Sequence, residues 1–196
     1  AHLFDGVVHD LEPLLARRRQ RVTTAVAAAA ASLVGDPAKL HDVLRNLVEN
    51  AANYAPEGTT IMLSTHRDPD HVALIVEDEG PGIPEENLER IFERFYTDRP
   101  QESFGQNSGL GLNISRQIVV AHGGRLFAEN RPPAGMGRGK GDGGDRTSGG
   151  ARFVIRLPAT GHKLHERQGC ARRSSSAMAP SWHAGRAARS GVGARA

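Results

Sequence analysis

The sequence predicts one α/β domain, helices and strands mixed along the chain, followed by a basic tail. Three observations carry that expectation. Apolar residues recur at three- and four-residue spacing in separate stretches, which marks amphipathic helices. Short runs of strand-like residues lie between them, bounded by Gly, Pro and Asp. After Pro158 all periodicity stops. The chain has 196 residues, the scale of roughly one domain. A hydrophobic fraction of 38% with 23 glycines suits a core carrying irregular segments and excludes a fibre. No apolar run approaches the roughly 20 residues of a membrane helix, and the first residues carry no secretory pattern. The single Cys170 excludes an internal disulfide framework and a cysteine-built zinc site, and fits a reducing, cytoplasmic compartment.

In chain order, Phe4, Val7, Val8, Leu11, Leu14 and Leu15 outline a first helix that ends in the basic run Arg17–Arg21. Arg21–Ala27 reads as a strand and Ser32–Gly35 as a second short one. Asp36-Pro37 is a helix start, an N-cap residue followed by proline at the first helical position. That helix is expected to reach Tyr54 and to stop before Pro56-Glu57-Gly58. Thr60–Arg67 and His71–Asp78, joined by Asp68-Pro69-Asp70, form a hairpin signal. Glu85–Phe95 is expected to be helical, and Thr97–Ser108 a long loop. Leu110–Ala121 is a strong helix ended by Gly123-Gly124. Arg125–Asn130 and Ala151–Leu157 read as strands flanking 132–150, a segment of Gly, Pro and charge expected to be a flexible insertion. The domain is therefore placed at 1–159 and a disordered tail at 160–196.

The net charge of +3 suggests nucleic acid until the chain is divided. Residues 160–196 hold seven Lys/Arg against one Asp/Glu, which leaves the preceding part at −3. The basicity belongs to the tail, so no nucleic-acid partner is expected.

Three motifs point to chemistry. On the helix over 38–54, Leu40, Val43, Leu44, Leu47, Val48 and Ala51 share one face, and Asn46, Asn50 and Asn53 stack on another. Asparagine is a mediocre helix former. A stripe of three reads either as a solvated polar face or as a row of neutral amide oxygens, which suit Mg²⁺ bound together with phosphates. Next, Leu74-Ile75-Val76 delivers Glu77-Asp78 into Gly80-Pro81-Gly82-Ile83-Pro84. That is either an acidic turn or a carboxylate presented to a ligand amine, with glycines that let the backbone approach. Finally, Gly105–Leu112 leads into a helix and could present N–H groups to phosphate. Its spacing is neither the dinucleotide fingerprint nor the Walker loop.

In this order the motifs are specific. Leu44-Arg45-Asn46-Leu47-Val48-Glu49-Asn50-Ala51-Ala52-Asn53-Tyr54-Ala55-Pro56 resembles the N box of the catalytic ATP-binding domain of bacterial sensor histidine kinases. Asp78-Glu79-Gly80-Pro81-Gly82-Ile83 resembles that family's first glycine box, Ile91-Phe92-Glu93-Arg94-Phe95-Tyr96 its F box, and Gly109-Leu110-Gly111-Leu112 its second glycine box. Ala121-His122-Gly123-Gly124 is similar to the usual end of the next helix. The resemblance covers about residues 3–158, with Pro132–Gly150 unmatched.

The resemblance implies a two-layer sandwich of the Bergerat type, a mixed sheet covered on one face by helices. It implies ATP and Mg²⁺ as cofactors. Asn50 takes the position of the Mg²⁺-coordinating and catalytic asparagine, with Asn46 beside the phosphate and metal. Asp78 takes the position that accepts the adenine amino group, Gly80, Gly82 and Ile83 shape that pocket, and Tyr54 contacts the base. Gly109, Leu110, Gly111 and Leu112 border the triphosphate. Thr97–Ser108 would be a mobile lid above Phe92 and Phe95, with Arg99 and Gln106 reaching phosphate. Asn53 departs from the lysine or histidine often found at its position.

Related ATPases of the gyrase, mismatch-repair and chaperone types carry glutamate where Asn46 stands. An amide cannot serve as that general base, so the resemblance favours phosphoryl transfer to a protein over hydrolysis. No phosphoacceptor box is found. His9-Asp10-Leu11-Glu12-Pro13-Leu14 is one residue short of one and too close to the N box. The expectation is a catalytic domain cut from a longer cytoplasmic-facing kinase. Upstream parts would hold the acceptor histidine on a helical dimerisation domain and any membrane attachment, and a response regulator would act downstream. The alternatives are a nucleotide-responsive pseudokinase and an anti-sigma-type serine kinase of the same fold.

Overall fold

The regular elements come in the order α1 (His2–Arg17), β1 (Arg21–Ala25), α2 (Pro37–Tyr54), β2 (Thr60–Arg67), β3 (His71–Glu77), α3 (Gly111–Ala121), β4 (Arg125–Asn130) and β5 (Ala151–Pro158). The computed structural model describes residues 2–30, 33–96, 109–131 and 149–159. The strands form one sheet in the order β1-β2-β3-β5-β4. β1 runs parallel to β2 and every other pairing is antiparallel, so the sheet is mixed.

One sheet face builds the core. Ile61 and Leu63 of β2, Val72, Leu74 and Val76 of β3, and Phe153, Ile155 and Leu157 of β5 alternate inward with the two-residue period of a strand. They meet Leu40, Val43, Leu44, Leu47, Val48, Ala51 and Ala52 of α2, all at most 1% exposed. The apolar face read along 38–54 is therefore the central core helix. α1 lays Phe4, Val7, Leu11 and Leu15 beside it, and α3 adds Val119.

Local signals set the helix ends. Asp36 caps α2, its Oδ1 accepting from the N–H groups of Ala38 (2.9 Å) and Lys39 (3.2 Å), with Pro37 in the first turn. At the other end, Gln20 Nε2 shares its two hydrogens among the Ala52 carbonyl in the last turn of α2 and the Ala55 and Pro56 carbonyls just past it. His122 couples α3 to α2. Its Nε2 accepts from Asp36 N (3.1 Å) while Nδ1 lies 2.8 Å from the Ile118 carbonyl, a pairing that assigns the neutral Nδ1–H tautomer.

Two sequence expectations are corrected. Glu85–Phe95 is not an α-helix but two 3₁₀ turns, Glu85–Asn87 and Arg90–Phe92. Among these residues only Phe92 is buried, too little apolar face to hold three helical turns against the core. The chain also leaves helical space at Phe95, whose φ is 65°. Ser32–Gly35 does not form a strand where it is described. A 3₁₀ turn, Ala28–Ala30, precedes it, residues 33–35 are irregular, and among the described residues β1 is the sheet edge with no further strand beside it. The expectations for 97–108, 132–148 and 160–196 lie outside the described residues.

Candidate functional site

At one end of the sheet a cleft opens between α2, the turn after β3, the 3₁₀ turns and the start of α3. Asn50 and Tyr54 line it from α2, and Asp78, Pro81, Gly82, Ile83 and Pro84 from the turn. Asn87, Ile91 and Tyr96 close one side, and Leu112, Ala151 and Phe153 complete the wall. The cleft is thus mostly apolar with a few polar groups, the usual make-up of a small-molecule site.

Asp78 is its most constrained polar group. β3 ends at Glu77, and Asp78 follows at 3% exposure. Its Oδ1 accepts from Gly80 N (2.8 Å) and Ala151 N (3.0 Å), while no donor among the described residues reaches Oδ2. Its main chain is tied as well, Asp78 N donating to the Ala151 carbonyl (3.0 Å) and Asp78 O accepting from Arg131 Nη1 (2.8 Å). Burial pushes the carboxyl above its ordinary value, against the opposing pull of the Ala151 and Gly80 N–H groups and the Arg131 charge. One oxygen is committed to the fold, and the other remains an acceptor at the cleft wall.

The glycine-broken turn is held from outside. Asn130, at the end of β4, accepts from Ile83 N (2.8 Å) and donates to Ile83 O (2.6 Å), fixing Ile83 at the cleft. A Cβ on Gly80 would stand 2.9 Å from Asp78 Oδ1, so that position needs the close approach only glycine allows.

The asparagine stripe divides. Asn50 faces the cleft, and its amide has no hydrogen-bond partner among the described residues. Asn46 is not among the lining residues. Its Nδ2 donates to Ser115 Oγ (3.0 Å), and its amide packs against Gly111. Asn53 is half-buried, and Tyr54 is 47% exposed at the mouth. Gly109 has φ +64° and lies against the backbone of Phe95 and Tyr96, its carbonyl accepting from Phe95 N (3.0 Å). Leu110 precedes the first turn of α3, and Leu112 reaches the cleft. Arg99 and Gln106 lie outside the described residues.

The structure adds residues the motifs did not single out. Asn130 and Arg131 brace the turn, Ser115 anchors Asn46, and Asn113 donates to the Phe92 carbonyl (2.8 Å), tying α3 to the F-box turn. Ala151 and Phe153 line the cleft from β5. For Asn130, Ala151 and Phe153 the signal in the sequence is the alternation of the last strands, and for Asn113 and Ser115 the period of α3; neither says which elements become neighbours.

This arrangement has counterparts in known proteins. The family model described as histidine kinase-, DNA gyrase B-, and HSP90-like ATPase matches residues 35–161. The sensor protein ChvG of Rhizobium meliloti (strain 1021) is 49% identical over 126 residues, 63% of this chain and 20% of its own. The chain thus spans about a fifth of that relative's length. The solved catalytic domain of histidine kinase ThkA aligns with a TM-score of 0.65 at 27% identity, covering 81% of this chain and 91% of that one. ThkA has also been solved in complex with the response regulator protein TrrA, aligning with a TM-score of 0.63 at 26% identity over 83% of this chain and 41% of that one. Matching motifs, matching fold and matching relatives agree that the chain belongs to the histidine kinase-, DNA gyrase B- and HSP90-like ATPase family, as an ATP-binding catalytic domain of the sensor histidine kinase type.

Proposed function

We propose that this domain binds Mg·ATP in the cleft and transfers the γ-phosphoryl group to a histidine on a separate helical dimerisation domain. From there the phosphoryl group would pass to a response regulator. The observation that carries the reading is Asp78, a buried carboxylate with one oxygen spent on two backbone N–H groups and the other uncommitted at the cleft. Such an acceptor suits the exocyclic amine of adenine. Ile83, Leu112 and Phe153 supply apolar wall for the base, and Tyr54 flanks its entrance.

Asn50 fits a Mg²⁺ site by its chemistry, a neutral hard oxygen at the cleft without a competing partner among the described residues. Bound with the nucleotide, the ion would neutralise charge on the phosphate oxygens. Asn46 takes a supporting part, bracing α3 through Ser115 so that Gly109, Leu110 and Gly111 stand at the phosphate end. Arg99 and Gln106 are assigned to phosphate contact on the family resemblance alone, as is Asn53. Catalysis then rests on positioning and charge neutralisation, as phosphoryl transfer generally requires. We place the catalytic domain at 1–159, with 132–150 as an addition to the β4–β5 connection, and its site of action in the cytoplasm. Among the described residues no helix is long and apolar enough to cross a membrane.

The test is transfer in trans. The chain is incubated with labelled ATP, Mg²⁺ and a helical-hairpin phosphoacceptor domain. Acid-labile, alkali-stable label should appear on the hairpin and none on the chain itself. His9 is 83% exposed on the α1 face away from Phe4, Val7 and Leu11 and belongs to no acceptor box. Binding without transfer would make this a nucleotide-responsive module. Acid-stable label would indicate a serine kinase, and label on the chain lost in His9→Gln would make His9 the acceptor.

A further inference from the structure

β3 and β4 both run antiparallel to β5 and flank it, so the residues after Glu77 and after Asn130 leave the sheet at the same end. On the sheet face away from the core, Glu77 stands opposite Arg152 and Arg152 opposite Glu129. Arg152 Nε donates to Glu77 Oε1 (2.8 Å) and Nη1 to Glu129 Oε1 (3.1 Å), a ladder of alternating charge across three strands. Arg131 extends that ladder to the cleft. Its Nε lies 3.4 Å from Glu77 Oε1, and its Nη1 donates to the backbone carbonyl of Asp78 at 2.8 Å.

Three things hold this guanidinium still. Glu77 is only 8% exposed, so its pairing is poorly screened by water. The Arg131 main chain is fixed on both sides, its N–H donating to Gly150 O (2.8 Å) and its carbonyl accepting from Gly149 N (2.9 Å). The planar fork then serves a carboxylate and a carbonyl at once. Gly150 completes the clamp, since a Cβ there would overlap the Asp78 carbonyl.

We propose that Arg131 is a positioning residue for base recognition, holding the Asp78 backbone so that the uncommitted carboxylate oxygen faces an adenine amine. This rests on the reading of Asp78 as the base acceptor. Arg131 acts from behind, on the backbone of the residue that would touch the ligand. Its charge also favours the ionised carboxylate, the form that accepts a hydrogen bond. Among the described residues, the other charged or titratable groups around that end of the sheet are Glu77 on β3, Glu79 in the turn after it, Glu129 on β4, Arg152 on β5, and Tyr54 and Tyr96 at the cleft.

The test compares ADP with inosine diphosphate, which carries a 6-oxo group in place of the 6-amino group. Calorimetry on the full chain follows both from pH 8 to pH 5 and reads the ratio of affinities, in which phosphate ionisation cancels. Arg131→Met should lower the preference for ADP about three- to tenfold, the worth of one hydrogen bond. The acid loss of that preference should move to higher pH, because the carboxylate loses a stabilising cation. Arg131→Lys keeps the charge and should return the pH limb towards wild type. Equal weakening of both nucleotides with an unmoved limb would show a merely structural residue and overturn the proposal. If Arg131→Met does not melt cooperatively, Glu77→Gln removes the partner that orients Arg131 and should reduce the ratio in the same sense. An unchanged ratio there would overturn the proposal equally. Asp78→Asn separates the two readings. If it leaves the ratio unchanged, the acceptor role and the Arg131 role fall together. If it abolishes the preference while Arg131→Met retains it, only the Arg131 role falls.

Discussion

Replacing Asp78 with Asn should reverse the base preference of the cleft without unfolding the domain. The structure dictates which way the new amide must face. Oδ1 receives two backbone N–H groups, from Gly80 at 2.8 Å and Ala151 at 3.0 Å. An amide nitrogen there would set donor against donor twice, so the amide oxygen takes that place and the NH₂ group turns to the cleft. A base amine then meets a donor where it had met a charged acceptor. A hydrogen bond to a charged group contributes about 1.5–3 kcal/mol, so ADP affinity should fall about 10- to 150-fold. Inosine diphosphate, with an acceptor at the same position, should bind the variant better than it binds wild type. The fold should not suffer. Burial raises the folded pKa of Asp78 above its unfolded value, so the folded state holds that proton more tightly. The stability this contributes is present below the unfolded value and is lost as pH rises through the folded one. At neutral pH the ionised carboxylate is a burden, and the neutral amide should melt at the same temperature or higher. The wild-type apo protein should likewise lose this contribution on going from acid towards neutral pH. Calorimetric titrations with the two nucleotides, paired with thermal melts of the apo variants, read both effects. Unchanged preference for ADP in a cooperatively melting Asp78→Asn would refute the assignment.

Asn50→Ala should abolish most of the Mg²⁺ dependence of ATP binding while adenosine binding survives, because the base wall is built by other residues. Titrations with and without Mg²⁺ check this, and equal Mg²⁺ dependence in both proteins would contradict it. Gly150→Ala places a side chain at φ +116° against the Asp78 carbonyl. It should cost at least about 2 kcal/mol, roughly 4–8 °C in melting temperature, and weaken ADP binding as well. His122→Ala removes the link from Asp36 N–H to the Ile118 carbonyl. The cost should be about 1 kcal/mol, roughly 2–4 °C by thermal melting, with ADP affinity unchanged because His122 lies outside the cleft.

Much of this protein follows from local chemistry and was legible in residue order alone. Asp36-Pro37 could start a helix without knowledge of its neighbours, because the cap is formed within four residues. The apolar stripe of α2 and the hairpin at Asp68-Pro69-Asp70 are local in the same sense, one set by helical period and the other by turn chemistry. The motif order, asparagines, acidic turn and glycine loop, announced the family because each piece is short and contiguous. What residue order did not decide is everything that depends on which strands become neighbours. Glu85–Phe95 has helical composition but gives the core only Phe92, so packing overrode propensity. Asn46 and Asn50 are one helical turn apart and alike in type. Only the docking of α3 spends one on Ser115 and leaves the other to the cleft. Ala151 and Asp78 are 73 residues apart, and the N–H of one fixes the carboxylate of the other because β5 inserts between β3 and β4. That insertion also brings Arg131 behind Asp78. A short motif can name the carboxylate that meets a ligand, but the groups that aim it come from chain far away and are chosen by sheet order.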